Sequence, residues 1–211
     1  MTDPHADSPI LLAGAPLERA RAAMLLVHGR GATAESILEL GEEVADETVA
    51  LVAPQASGNT WYPLSFMAPT ELNEPYLTSA LSKVGATLER IGAAGIPAER
   101  TVLAGFSQGA CLTLEFVSRN PRRYGGVAGL SGGVIGPPGM TRNDHGDLRG
   151  TPLFLGCSDI DPHIPKERVE ETADIFRHLR AEVAMRLYPA MPHTINSDEI
   201  TRLRLMVDAL P

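Results

Sequence analysis

A serine set between two glycines, Gly105-Phe106-Ser107-Gln108-Gly109, is the arrangement in this chain best suited to chemistry. Before it, Thr101-Val102-Leu103-Ala104 is apolar and β-capable; after it, Ala110, Cys111, Leu114 and Val117 recur at helical spacing. A strand that turns this sharply into a helix strains its central residue, and flanking glycines remove the Cβ atoms that would clash. The hydroxyl is left at a helix N-terminus, where free N–H groups and the helix dipole favour developing negative charge. That is the setting of a nucleophile. The same pattern recurs at Gly129-Leu130-Ser131-Gly132-Gly133, but Val134-Ile135-Gly136-Pro137-Pro138-Gly139 follows, which cannot continue as a helix. Ser131 therefore reads as a strand end entering a loop, and Ser107 as the nucleophile.

A serine hydroxyl is a weak nucleophile at neutral pH and needs a base, and the base needs an acid to orient it. With a serine on such a turn, the order along the chain is Ser, then Asp or Glu, then His, each at the carboxyl end of a strand. Of the six histidines, His5 falls in residues 1–9, expected to be a flexible tail, and His28 precedes the nucleophile. His145 sits in a polar loop and His178 within a helix, which leaves His163 and His193. His193 follows a strand by the short loop Pro189-Ala190-Met191-Pro192 and precedes a helix start, so it can reach back over the sheet. It is the expected general base, and activity should rise with pH as it loses its proton. For the acid, the loop after Leu153–Cys157 offers Asp159 and Asp161. Asp161 is preferred, because Pro162 stiffens it and it stands nearer the next helix; Asp159 and His163 would then support it or complete turns. These three residues in one short loop lack the ligand spacing of a metal site, so no metal is expected.

The oxyanion of acyl transfer needs preorganised N–H donors. Gln108 N–H, just after the serine, is one; the other is expected from the glycine-rich turn Leu26-Val27-His28-Gly29-Arg30-Gly31-Ala32, at Arg30 N–H. A substrate-binding wall is expected from the segment Pro54 to Pro75, too long for an ordinary connection and without a clear period. Its aromatics argue against disorder, and Trp61, Phe66 and Met67 are the candidate pocket residues. The polar loop Met140–Arg149 is expected to help cover Ser107.

The elements that must hold these residues alternate between apolar runs of strand length and helical stripes, the pattern of a mostly parallel sheet with helices on both faces. Strands are predicted at Met24–His28, Thr48–Ala53, Thr101–Gly105, Gly126–Leu130, Leu153–Cys157 and Ala184–Tyr188, with Ile10–Leu12 as an antiparallel edge. Leu77, Leu81, Val84, Leu88 and Ile91 mark one helix, and Val169, Ala173, Phe176 and Leu179 another, opened by Pro165. The last helix is predicted to begin at Asn196, with Glu199 completing a capping box.

At 211 residues the chain fits one domain, enough to bury roughly 70% of its unfolded surface. A net charge of −8 without a long basic run argues against nucleic acid or an anionic membrane as partner. No apolar stretch is long enough to span a bilayer, and Met1 to Pro9 lacks the basic-then-apolar order of a secretion signal, so a cytoplasmic location is expected. Cys111 and Cys157 lie in apolar segments and read as buried, reduced thiols.

Four stretches together resemble the phospholipase/carboxylesterase branch of the α/β-hydrolases, which includes acyl-protein thioesterases. They are His28-Gly29-Arg30-Gly31, Gly105-Phe106-Ser107-Gln108-Gly109-Ala110, Asp161-Pro162-His163-Ile164-Pro165 and Met191-Pro192-His193, and the likeness spans nearly the whole chain. The resemblance implies an α/β-hydrolase fold without a large cap domain, no cofactor, a small-molecule ester substrate and, in many members, a homodimer. It implies Asp161 rather than Asp159 as the triad acid, and Arg30 N–H as an oxyanion donor. Two departures stand out. Members often carry a hydrophobic residue where Arg30 stands, and the Trp61–Tyr76 segment does not match the usual thioesterase lid. The expected function is a serine carboxylesterase acting on small to medium acyl esters or thioesters through an acyl-enzyme. The alternatives are a dienelactone-hydrolase-like or C–C bond hydrolase with the same triad, or a non-catalytic binding protein on this fold. Dienelactone hydrolases place a cysteine at the nucleophile position, where this chain has Ser107.

Overall fold

The computed structural model describes residues 3–211. Its centre is a seven-stranded sheet of β1 (Ile10–Gly14), β2 (Ala22–Val27), β3 (Val49–Pro54), β4 (Thr101–Phe106), β5 (Gly126–Leu130), β6 (Pro152–Ser158) and β7 (Glu182–Tyr188). The spatial order is β1-β3-β2-β4-β5-β6-β7; β1 runs antiparallel to β3 and every other pairing is parallel. The strands read as continuous apolar runs because both faces are covered. In β2, Met24 and Leu26 face one core while Leu25 and Val27 face the other, as the two-residue period of a strand requires.

Helices α1 (Ala34–Val44) and α5 (Ser197–Asp208) cover the first face. The second is covered by α2 (Tyr76–Ala93), α3 (Gln108–Arg119) and α4 (Lys166–His178). The predicted stripe of α2 is its buried face through Leu77, Val84, Leu88 and Ile91. Asn196 caps α5 by accepting from the Asp198 and Glu199 N–H groups, and Glu199 closes the box by accepting from Asn196 N–H. Pro165 occupies the cap of α4 rather than its first turn. Helix α1 has no counterpart among the predicted elements. Its capping box pairs Thr33 with Ser36, and serine at the third helical position lacks the Glu or Gln that marks such a box in a sequence.

The connections Gln55–Pro75 and Ser131–Thr151 lie on the domain itself, so the fold is α/β-hydrolase-like without a large inserted cap. Because the parallel strands share one direction, their carboxyl ends lie along one edge. From that edge spring the turn after β2, the long segment after β3, Ser107 after β4, and the loops after β6 and β7. No described helix is long and apolar enough to cross a membrane.

Two expectations are corrected. The flexible tail of residues 1–9 is, from Asp3 onward, packed against the domain; Met1 and Thr2 lie outside the described residues. His5 is fully buried: its N–H donates to Ser79 Oγ (2.9 Å), its Nε2 bonds to Trp61 O (2.9 Å) and its Nδ1 to Ser57 N (3.0 Å). Lys83 reaches the Ala6 and Ser8 carbonyls. The acidic letters of this segment hide one imidazole that makes two polar contacts, while the same residue's backbone N–H makes a third. The loop Met140–Arg149, expected over Ser107, is instead tied to the other end of α3. Arg142 pairs there with the buried Glu115 (3.0 Å) and donates to Ser118 Oγ (2.9 Å) and Ile135 O (2.9 Å).

Candidate active site

Ser107 sits between β4 and α3 at φ +55° and ψ −120°, a region that costs a non-glycine residue on the order of 1–3 kcal/mol. Neighbouring glycines make the turn possible. A Cβ on Gly105 would collide with the backbone of Gly109, and one on Gly109 with the carbonyls of Val27 and His28. The turn is held by Ser107 N–H donating to Leu130 O (2.9 Å) and Cys111 N–H to Ser107 O (3.0 Å). Since the first amides of a helix have no intrahelical acceptor, the Gln108 N–H emerges beside the serine. Ser131 shares a positive φ of 51° but is fully buried at the end of β5, and the next element in the chain is β6, not a helix.

His193 Nε2 stands 2.9 Å from Ser107 Oγ, and its Nδ1 stands 2.7 Å from Asp161 Oδ2. The imidazole lies between the rings of Phe106 (5.0 Å) and His163 (4.9 Å, edge-on), which limit its rotation. The other oxygen of Asp161, Oδ1, accepts from the backbone N–H groups of His163 (2.8 Å) and Ile164 (3.0 Å). Burial acts to raise the Asp161 pKa; the bonds from His193 and these two amides outweigh it and hold the carboxyl below its ordinary range. Asp159 does separate work. Its Oδ1 accepts from Ala190 N–H (2.8 Å) and its N–H donates to Tyr188 O (3.1 Å), so it ties the loop after β6 to the loop that bears His193.

A cavity of about 510 Å³ opens in front of Ser107. Arg30, Gln108, His163, His193 and Phe66 border it, together with Tyr62, which the sequence reading passed over. Of the three expected wall residues, only Phe66 is there. Trp61 is fully buried beneath the wall, where its Nε1 donates to His28 O (2.8 Å) and its ring meets those of His5 (5.4 Å) and His28 (5.0 Å) at tilted angles. Met67 packs against the hydrophobic core. Gln108 sets this arrangement: its Oε1 accepts from Trp61 N–H (3.0 Å) and its Nε2 donates to Tyr62 O (2.8 Å). That clamp turns Trp61 inward and leaves Tyr62 facing the cavity. Cys111 also borders the cavity, but burial pushes its thiol up to about 12, and it carries no thiolate near neutral pH.

Arg30 lies in the turn after β2. Its guanidinium donates to Pro63 O (2.9 Å) and Leu64 O (2.7 Å), joining that turn to the cavity wall. Gly29 is packed so closely that a Cβ there would touch Phe106 O and Ser107 Cβ, so the turn runs directly past Ser107.

The chain is similar to several known proteins. The crystal structure of a phospholipase/carboxylesterase from Dyadobacter fermentans superposes with a TM-score of 0.91 at 45% identity, covering 95% of this chain and 96% of that one. Acyl-protein thioesterase 1 of Saccharomyces cerevisiae is 24% identical over 92% of this chain and 94% of its own length. The Bacillus cereus carboxylesterase, 18% identical with a TM-score of 0.75, shares the fold. The model of the phospholipase/carboxylesterase family matches residues 13–210, so the chain belongs to this family of esterases and thioesterases.

Proposed function

We propose that the protein is a serine carboxylesterase that cleaves small to medium acyl esters or thioesters through a covalent acyl-enzyme. The observation that carries this reading is the unbroken line from Ser107 Oγ through His193 to Asp161, at 2.9 and 2.7 Å, beginning on a strained serine at a helix start.

In this reading His193 Nε2 takes the Ser107 proton as Oγ bonds to the substrate's acyl carbon. The carbonyl π electrons move to oxygen, and the N–H groups of Arg30 and Gln108 receive that oxyanion. When the tetrahedral centre collapses, the bond to the leaving alcohol or thiol breaks and His193 returns the proton to it. Water then repeats the sequence on the acyl-enzyme, releasing the acid and restoring Ser107. Asp161 stays ionised throughout, keeps the Nδ1 proton of His193 in place and balances the imidazolium. The cavity of about 510 Å³ lies within the size range of small-molecule sites.

The test is hydrolysis of p-nitrophenyl esters of increasing acyl length by wild type and Ser107→Ala. The variant is expected to lose about 10⁴-fold or more in kcat. A folded Ser107→Ala protein that retains wild-type turnover would remove Ser107 from the mechanism.

A further inference from the structure

The wall around Ser107 is one-sided in charge. Among the described residues, Arg30 is the only permanently charged side chain bordering the cavity, and no Asp or Glu borders it. Asp161 lies behind His193, its oxygens engaged by that imidazole and two backbone amides. A cleft without acids is unexpected by composition, since the chain has 26 acidic against 18 basic residues.

Arg30 is also held in place without being neutralised. Both acceptors of its guanidinium are neutral carbonyls, of Pro63 and Leu64, and none of the ion pairs among the described residues includes it. These two bonds fix the orientation of the fork and leave its remaining N–H groups unused. Arg30 is itself exposed, so solvent screens its charge, but a guanidinium already held by two bonds loses less freedom when an anion docks than one free to move. Such a group also raises the local concentration of anionic substrate.

From this we infer, given the esterase reading of the same site, that the preferred substrates are esters bearing a second, free carboxylate that docks on Arg30. A carboxylate suits the site better than a phosphate: one permanent cation balances a monoanion, whereas a dianion would leave one charge uncompensated against Phe66 and Ile164.

The test compares kcat/KM within two matched pairs of esters, followed by acid release. Monoethyl adipate against ethyl hexanoate places the carboxylate on the acyl side; γ-acetoxybutyrate against butyl acetate places it on the alcohol side. In at least one pair the anionic ester is expected to be favoured by about tenfold, the ratio given by one charge-assisted contact. Arg30→Met should abolish that preference, Arg30→Lys should restore part of it, and added salt should shrink it. The ratio within a pair cancels any general damage to the turn or wall, which would lower both esters alike. Neutral esters turned over as well as anionic ones, or a preference that survives Arg30→Met, would overturn the inference and leave the esterase reading standing. Turnover of none of the four esters would overturn both.

Discussion

Asp161 makes two kinds of contact at once, and together they specify what a single-atom change should do. Its Oδ1 is committed to the His163 and Ile164 amides and its Oδ2 to His193 Nδ1. In Asp161→Asn the two backbone donors require the amide oxygen at the first position, which forces the amino group to face Nδ1. That histidine must then carry its proton on Nε2, where it cannot accept one from Ser107. The expected loss is about 10³- to 10⁴-fold in kcat with KM little changed, measured by steady-state ester hydrolysis. A loss under tenfold would mean that Asp161 does not set the tautomer. The three motifs that supply these residues were legible in the sequence because each couples a residue type to a boundary: glycines at a strand–helix turn, Asp-Pro after a strand, and His before a helix cap. The pocket wall was not. Trp61 and Tyr62 are adjacent in a segment without period, and which one faces the cavity depends on the Gln108 amide, a contact between residues 47 positions apart.

At the scale of elements, the start of the long segment after β3 is clipped by two histidines that must both be neutral. His5 Nδ1 accepts from Ser57 N–H, and His28 Nε2 accepts from Ala56 N–H (3.1 Å) while its Nδ1 donates to Gly29 O (2.8 Å). Burial lowers the pKa of both below the ordinary histidine range. As pH falls into that range, the unfolded chain binds protons that the folded chain refuses, so stability falls; above it the contribution is fully present. Thermal unfolding is therefore expected to shift to lower temperature as pH falls from neutrality to about 5. His5→Asn, whose Oδ1 can still accept from Ser57, should be less stable at neutral pH but show a shallower decline. An identical slope in the variant would show that His5 is not one of the groups responsible. Nothing in the letters of residues 3–8 announces this role. The segment looks like a polar tail because its anchors, the buried His5 ring and the Asp3 carboxylate that accepts from Ser79 Oγ, are spelled by polar letters.

For the whole molecule, the sheet was read nearly strand for strand, since runs buried on both faces leave a long apolar signature. Helix α1 was not, for want of a recognisable cap. His193, the proposed general base, follows an edge strand of this sheet. β7 pairs only with β6 and is exposed at alternate residues, with Val183, Met185 and Leu187 facing the core. Edge elements open at lower free energy than central ones. Ester hydrolysis is accordingly expected to disappear at lower denaturant concentration than the far-UV circular dichroism of the sheet and helices, and β7 amides to exchange before those of β4. Coincident loss of activity and secondary structure would place β7 in the same cooperative unit as the central strands.

The order of the chain adds a temporal consequence. Ser107 precedes His193 by 86 residues, so a polypeptide emerging from the ribosome contains the proposed nucleophile long before the proposed base. A single domain generally folds as a unit. On the proposed mechanism, the three-residue line is therefore complete only once the final strand has been made and joins β6.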